Sequence, residues 1–162
     1  MVVQSTISDL SQLDLGHLAL FLGLRVNELV VARMTRAGFK NVRESHGYVI
    51  QHLIESDRSI TELAHRMGVS QQMASKAVAE LVRHGVLEQS PGEDRRAKRI
   101  RLSAKGWKAV YMSRKIRSGI HKNLCHDLGE HKIARAKTTL IACLDQLGGT
   151  RRIKGRRLRQ PG

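Results

Sequence analysis

The sequence predicts a mainly α-helical fold with a small β-hairpin wing: a winged helix-turn-helix joined to a helical dimerisation region. Three observations predict it. Two short amphipathic stretches meet at a single glycine, Gly68, with a capping residue before each. From Val86 the helical periodicity gives way to an alternating one, broken at Pro91-Gly92. Long apolar-striped segments flank this unit on both sides. The expected organisation is a helical dimerisation region at 8–40 and 107–147, a winged helix-turn-helix at 41–106, and a disordered basic tail at 148–162.

Asp14 to Thr35 reads as a first helix. Leu15, Leu18, Phe21, Leu22, Leu24, Leu29 and Val30 mark its apolar face, and Leu20, Val26 and Val31 fill much of the remaining circumference. A helix apolar nearly all round is buried on several sides, and in a chain this small that implies a second subunit. Gly38 breaks the pattern. A second helix follows over Glu44–Glu55, with Val49, Ile50, Leu53 and Ile54 inward.

Ser59-Ile60-Thr61-Glu62 has the S-x-x-E form of a capping box. The short helix it opens buries Ile60, Leu63, Ala64 and Met67 and ends at Gly68. Ser70 caps the next helix, where Ala74, Ala77, Val78 and Leu81 recur at i, i+3, i+4, i+7 until Arg83-His84-Gly85 stops it. Small Ala64 permits close approach of the two helices, and Leu63, Met67, Val69, Ala77 and Leu81 form the core between them. In the hairpin that follows, Arg99 and Arg101 share one face and Ile100 and Leu102 the other. Two strands alone are marginal, so the hairpin must lean on the helices. Ser103 caps a long helix to about His126, with Trp107, Val110, Tyr111, Ile116 and Ile120 as its buried series. After Gly129 a last helix runs to Leu147, where Ile133, Leu140 and Leu147 recur every seven residues as a helix-helix seam.

The chain has 162 residues, of which 29 are Lys or Arg and 14 are Asp or Glu, a net charge of +15. Such an excess favours a polyanionic partner, whether DNA, RNA or an anionic membrane. With no uninterrupted apolar run of spanning length and no basic-then-apolar leader, the expectation is a cytoplasmic protein without membrane contact. Cys125 and Cys143 are too few for a disulfide framework and read as small apolar residues. The eight histidines show no metal-ligand spacing, and neither a phosphate-cradling loop nor a nucleophile elbow is present. Catalytic residues, cofactor and metal are expected to be none.

Position decides among the polyanions. The second helix of the pair offers Ser70, Gln71, Gln72, Ser75 and Lys76 at its amino-terminal outer face. Gln pairs with adenine, Lys donates to guanine or phosphate, Ser bonds either, and the helix terminus favours phosphate. The hairpin carries Asp94, Arg95, Arg96, Lys98 and Arg99; an arginine at its tip suits a minor groove, with Asp94 holding Arg96 extended. These residues predict a double-stranded DNA partner.

Leu63-Ala64-His65-Arg66-Met67-Gly68-Val69-Ser70, Leu81-Val82-Arg83-His84-Gly85-Val86-Leu87, Asp94-Arg95-Arg96-Ala97-Lys98 and Leu102-Ser103-Ala104-Lys105-Gly106 together resemble the MarR family of bacterial regulators. The resemblance spans about Leu15 to Leu147, and its most specific part is the D-x-R-x-K run with L-[ST]-x-K-G downstream. It implies a homodimer with interlocked terminal helices, one winged helix per palindromic half-site, repression of a neighbouring gene, and release by a small-molecule effector. It also implies that Asp94 and Arg96 form the wing pair and that Ser70, Gln71, Gln72, Ser75 and Lys76 touch DNA. Met73 stands where many relatives carry a hydroxyl. An effector pocket between the first, second and fifth helices is expected to draw on His17, Phe21, His46, Tyr48 or Tyr111. Two other readings stay open: a basic protein binding nucleic acid without sequence preference, against which the 3% aromatic content argues, and a winged helix used only between proteins.

Overall fold

The computed structural model describes residues 9–40, 43, 45–91, 98–150 and 153. After a short 3₁₀ turn, Leu10–Gln12, come α1 (Leu15–Arg36), α2 (His46–Ile50), α3 (Ile60–Met67), α4 (Gln71–Arg83), β1 (Leu87–Pro91), β2 (Lys98–Leu102), α5 (Ala104–Leu128) and α6 (Glu130–Gln146). Six helices and an antiparallel hairpin are the predicted class.

The helix starts follow from side chains that satisfy free amides. Asp14 accepts from the His17 amide at 3.0 Å, Ser59 from Glu62, Ser70 from Met73 and Ser103 from Gly106. The hairpin pairs Leu87 with Leu102 and Gln89 with Ile100, which sends Ile100 and Leu102 into the core. It leans on a third piece of backbone that the sequence did not suggest. The amide of Arg58 donates to the Ile100 carbonyl at 3.0 Å, and the Ile100 amide donates back at 2.7 Å.

Two apolar clusters organise the chain. One joins Val49 and Leu53, Leu63 of α3, Val78 and Leu81 of α4, Val86 and Leu87, Ile100 and Leu102 of β2, and Val110 of α5. The other joins Val30 and Met34 of α1 to Ala109 and Ile120 of α5. Adjacent residues of α5, Ala109 and Val110, therefore enter different clusters, and α5 ties the winged helix to the long helices.

Two expectations need correction, and on α6 a single copy leaves the expected seam uncovered. The second helix is five residues long, and its continuation tightens into i→i−3 bonds from His52 to Val49 and from Leu53 to Ile50. Ser45 makes no side-chain cap there, while Val49 and Leu53 lie in the core as expected. On α5 the buried face is Gly106, Ala109, Val110 and Ile120, while Trp107 and Tyr111 are 46% and 68% exposed. The reason is Gly106: a Cβ there would lie 2.2 Å from the Val86 carbonyl oxygen, so this close approach turns the face of Gly106, Ala109 and Val110 inward and Trp107 and Tyr111 outward. On α6 no residue is fully buried; Ile133 and Leu140 are half-buried, whereas Leu147 lies past the helix end and is 84% exposed.

Two lesser differences concern the chain's two end segments. The 22-residue α1, with an 18-residue window of mean hydropathy 1.5, is long and apolar enough to cross a bilayer by length and composition alone. The expectation missed this because Arg25, Asn27 and Glu28 interrupt the run without lowering its average enough. In the tail the Ile153 amide donates to the Gly149 carbonyl at 3.1 Å, and 151–152 and 154–162 lie outside the described residues.

Candidate nucleic-acid interface

α3 and α4 meet in a tight turn. Gly68 takes φ 67°, a left-handed conformation that closes α3, and the Val69 amide returns to the Ala64 carbonyl at 3.1 Å. The capping box is complete: Glu62 accepts the Ser59 amide at 2.6 Å while Ser59 Oγ accepts the Glu62 amide at 3.2 Å. The Ser59 amide, ahead of the Arg99 and Arg58 charges, holds the Glu62 carboxyl below its ordinary value.

Leu63, Ala64, Ala74, Val78 and Leu81 bury the contact between the two helices, while Met67, Val69 and Ala77 are half-buried around it. With α4 oriented this way, Ser70, Gln71, Gln72, Ser75 and Lys76 are all exposed together at its amino-terminal end. At 100° per residue the ridge opposite the core runs through Gln72, Lys76, Ala79 and Arg83, each of them exposed. Arg83 was overlooked, having been read only as part of the helix stop. Its spacing of eleven from Gln72 and seven from Lys76 would have placed it on the same stripe.

Of the hairpin residues, Lys98 is exposed on β2. Arg99 is half-buried and turned toward the body of the fold. Its guanidinium donates to the Asp57 carbonyl at 2.7 Å and lies 3.6 Å from Glu62. It thereby straps the wing to the start of α3. Asp94, Arg95 and Arg96 lie outside the described residues. The wing's base is fixed from the other side by the L-S-x-K-G run. Ser103 Oγ donates to the Gly85 carbonyl at 2.6 Å, and Lys105 Nζ donates to the His84 carbonyl at 2.7 Å, closing the last turn of α4.

A cavity of about 420 Å³ opens beside the recognition unit. Its floor is apolar, with Val30, Met34, Phe39, Ile50, Ile54, Leu81 and Val110. Lys40, Arg43, Lys105, Arg114 and Arg117 also line it, and no Asp or Glu does among the described residues. His46 and Tyr48 are in the lining. His17, Phe21 and Tyr111 are elsewhere: the first two are exposed near the start of α1, rings 6.5 Å apart, and Tyr111 faces outward on α5. Cys125 and Cys143 are half-buried rather than core residues, with Cys125 Sγ 3.7 Å from His121 Nε2. Among the described residues no group of three or more His, Cys, Asp or Glu is placed to hold a metal.

Residues 41–97, which contain the capped helix pair, match the sequence profile of the MarR family. The winged-helix segment is thus similar to the MarR family. MarR-type architecture extends well beyond that segment. MepR of Staphylococcus aureus, a transcription regulator of the multidrug efflux pump MepA, superposes with a TM-score of 0.67 at 16% identity, over 83% of this chain and 99% of its own. YusO of Bacillus subtilis gives 0.64 at 20% identity, over 80% and 92%. A MepR mutant from S. aureus bound to an oligodeoxyribonucleotide gives 0.62 at 16% identity, over 84% and 99%. No curated protein sequence matches the chain significantly. The fold is thus shared with these proteins over about four-fifths of the chain.

Proposed function

We propose that this chain is a sequence-specific double-stranded DNA-binding transcriptional regulator, a cytoplasmic homodimeric repressor of the MarR type that binds a palindromic operator and is released by a small-molecule effector. The observation that carries the reading is the amino-terminal face of α4. Ser70, Gln71, Gln72, Ser75 and Lys76 are jointly exposed on a helix whose opposite face is fully committed to the core. Gln71 and Gln72 read base edges, Lys76 reaches guanine or phosphate, and Arg83 extends the stripe along the backbone. Lys98 and the Asp94-Arg95-Arg96 run serve the adjacent minor groove, with Arg99 fixing the wing's angle instead of reaching outward.

Dimer formation is supported by the apolar side chains that a single copy leaves uncovered at both end segments: Leu15, Leu20 and Leu22 on α1, Ile141 and Leu144 on α6, and Leu147 beyond it. The cavity supports the effector. Its size is that of small-molecule sites, and an apolar floor rimmed by five cations fits an organic anion. Selection of genomic fragments by the purified protein, followed by affinity measurement on the enriched sequence and on random duplexes of equal length, tests the reading. A preference of at least about a thousandfold is expected. Equal affinity for both would establish a basic protein without sequence preference.

A further inference from the structure

His46 is an imidazole in an unusual position: 6% exposed, in the lining of the cavity, and next to the recognition helix. Its Nδ1 accepts the backbone amide of Arg43 at 3.2 Å, closing the turn that leads into α2. An acceptor nitrogen carries no hydrogen, so in the neutral ring the proton sits on Nε2. That atom is buried, lacks a hydrogen-bond partner, and lies 3.6 Å from Glu80 Oε1 of α4, just beyond hydrogen-bond reach. A buried donor left in this state calls for an explanation.

The surroundings supply one. Glu80 Oε1 is shared among three cationic or protonatable groups: the Arg43 guanidinium at 3.4 Å, His46 Nε2 at 3.6 Å and His84 Nε2 at 3.9 Å. From α5, Lys105 is bonded to the His84 carbonyl, and Lys40 rims the same cavity after α1. A second proton on His46 must go to Nδ1, where it meets the Arg43 amide donor head-on. That bond is lost, leaving the Arg43–His46 connection to the His46 amide's bond to the Arg43 carbonyl at 3.1 Å, and the imidazolium is drawn toward Glu80.

We propose that His46 is a proton-operated joint between the wall of the effector cavity and the recognition helix. In the neutral state it accepts the Arg43 amide and leaves Glu80 to Arg43. In the charged state it gives up the Arg43 amide, pairs with Glu80 and pulls on the last turn of α4. Burial keeps the empty protein's His46 below its ordinary value, with the Arg43 and His84 charges acting in the same direction and Glu80 opposing them. Negative charge brought into the cavity favours the proton, so effector binding and proton uptake are linked, each promoting the other to the same degree. The proposal deepens the reading of this cavity as the effector site and rests on it for its biological consequence, but the joint itself is observable in the free protein.

The test is a pH titration of the full chain by nuclear magnetic resonance, recording histidine ring nitrogens together with the amides of residues 77–84. The Nε2–H tautomer is expected for His46 at pH 8, with a midpoint below about 6.5. The α4 amides are expected to shift with that same midpoint, in the native protein and in His84→Gln. In His46→Gln they are expected to lose that transition. An Nδ1–H tautomer, or α4 amides that stay still through the His46 midpoint, would overturn the proposal from the native protein alone, whether or not the variant folds. Neither result depends on DNA, so failure of the joint and failure of the operator reading are told apart.

Discussion

At the scale of single residues, the decisive positions are set by close approach and by hydrogen-bond supply. Gly106 lies against the Val86 carbonyl, where a methyl group would sit at 2.2 Å from the oxygen. Gly106→Ala must push α5 away from the Val86 backbone, and a loss of about 1–3 kcal/mol or more is expected in urea unfolding. Ser103 and Lys105 beside it would keep their caps only if that approach survives. Gln72 belongs to the opposite case, an exposed residue with no role in the core. Gln72→Ala should leave stability within about 0.5 kcal/mol. On the selected operator it should cost about 1–3 kcal/mol and relax the preference at one base pair of each half-site, as read by competition with single-base variants. Unchanged discrimination would remove Gln72 from the reading face.

At the scale of elements, α3 is eight residues long and begins with a reciprocal cap. A helix this short has little stability of its own, so the cap and the packing of Leu63 and Ala64 must hold it. Ser59→Ala should cost about 1 kcal/mol in thermal or chemical unfolding. The pH dependence follows from Glu62, whose carboxyl is held below its ordinary value first by the Ser59 amide. A lowered carboxylate contributes stability above its unfolded value and loses it as the pH falls through the folded one. The native protein's advantage over Glu62→Gln should therefore be present at neutral pH and vanish on acidification below the ordinary carboxylate range. A difference that persisted in acid would mean that Glu62 acts through packing rather than charge. The wing obeys the same logic as α3: β2 is held by β1 on one side and by the Arg58 backbone on the other, with Arg99 strapped across to Asp57 and Glu62.

At the scale of the whole molecule, apolar surface and charge are distributed to different ends of the work. The side chains that one copy leaves exposed on α1 and α6 make a dimer the expected state, twice the chain mass by sedimentation equilibrium. Leu22→Asp or Leu144→Asp should shift it toward monomer and weaken operator binding, because each puts a charge into an apolar contact. The basic run from Arg151 to Arg159 contributes six cations and no acidic residue. Removing 150–162 should weaken binding to every duplex and flatten the salt dependence while leaving the ranking of sequences intact. Lost ranking would assign the tail a part in recognition.

How much of this was legible in the sequence depended on whether the cause was local. The capping box at Ser59, the left-handed Gly68, the cap at Ser70 and the inward alternation of Ile100 and Leu102 all rest on residues within four positions of one another, and the structure has each of them. The amino-terminal face of α4 could be listed for the same reason, since helical spacing alone opposes it to Ala74, Val78 and Leu81. Where the cause was distant, periodicity failed. The outward turn of Trp107 and Tyr111 follows from the close approach of Gly106 to the Val86 backbone, and α2, with no side-chain cap at Ser45, is short. The Arg58 strand pairing, the inward strap of Arg99, and the meeting of Arg43, His46 and His84 around Glu80 join segments that no local pattern connects. The sequence by itself determined the winged helix and the face it presents. The tertiary structure alone decided which charges are spent inside the fold and which remain free to meet a partner, because long side chains choose their partners by distance in space.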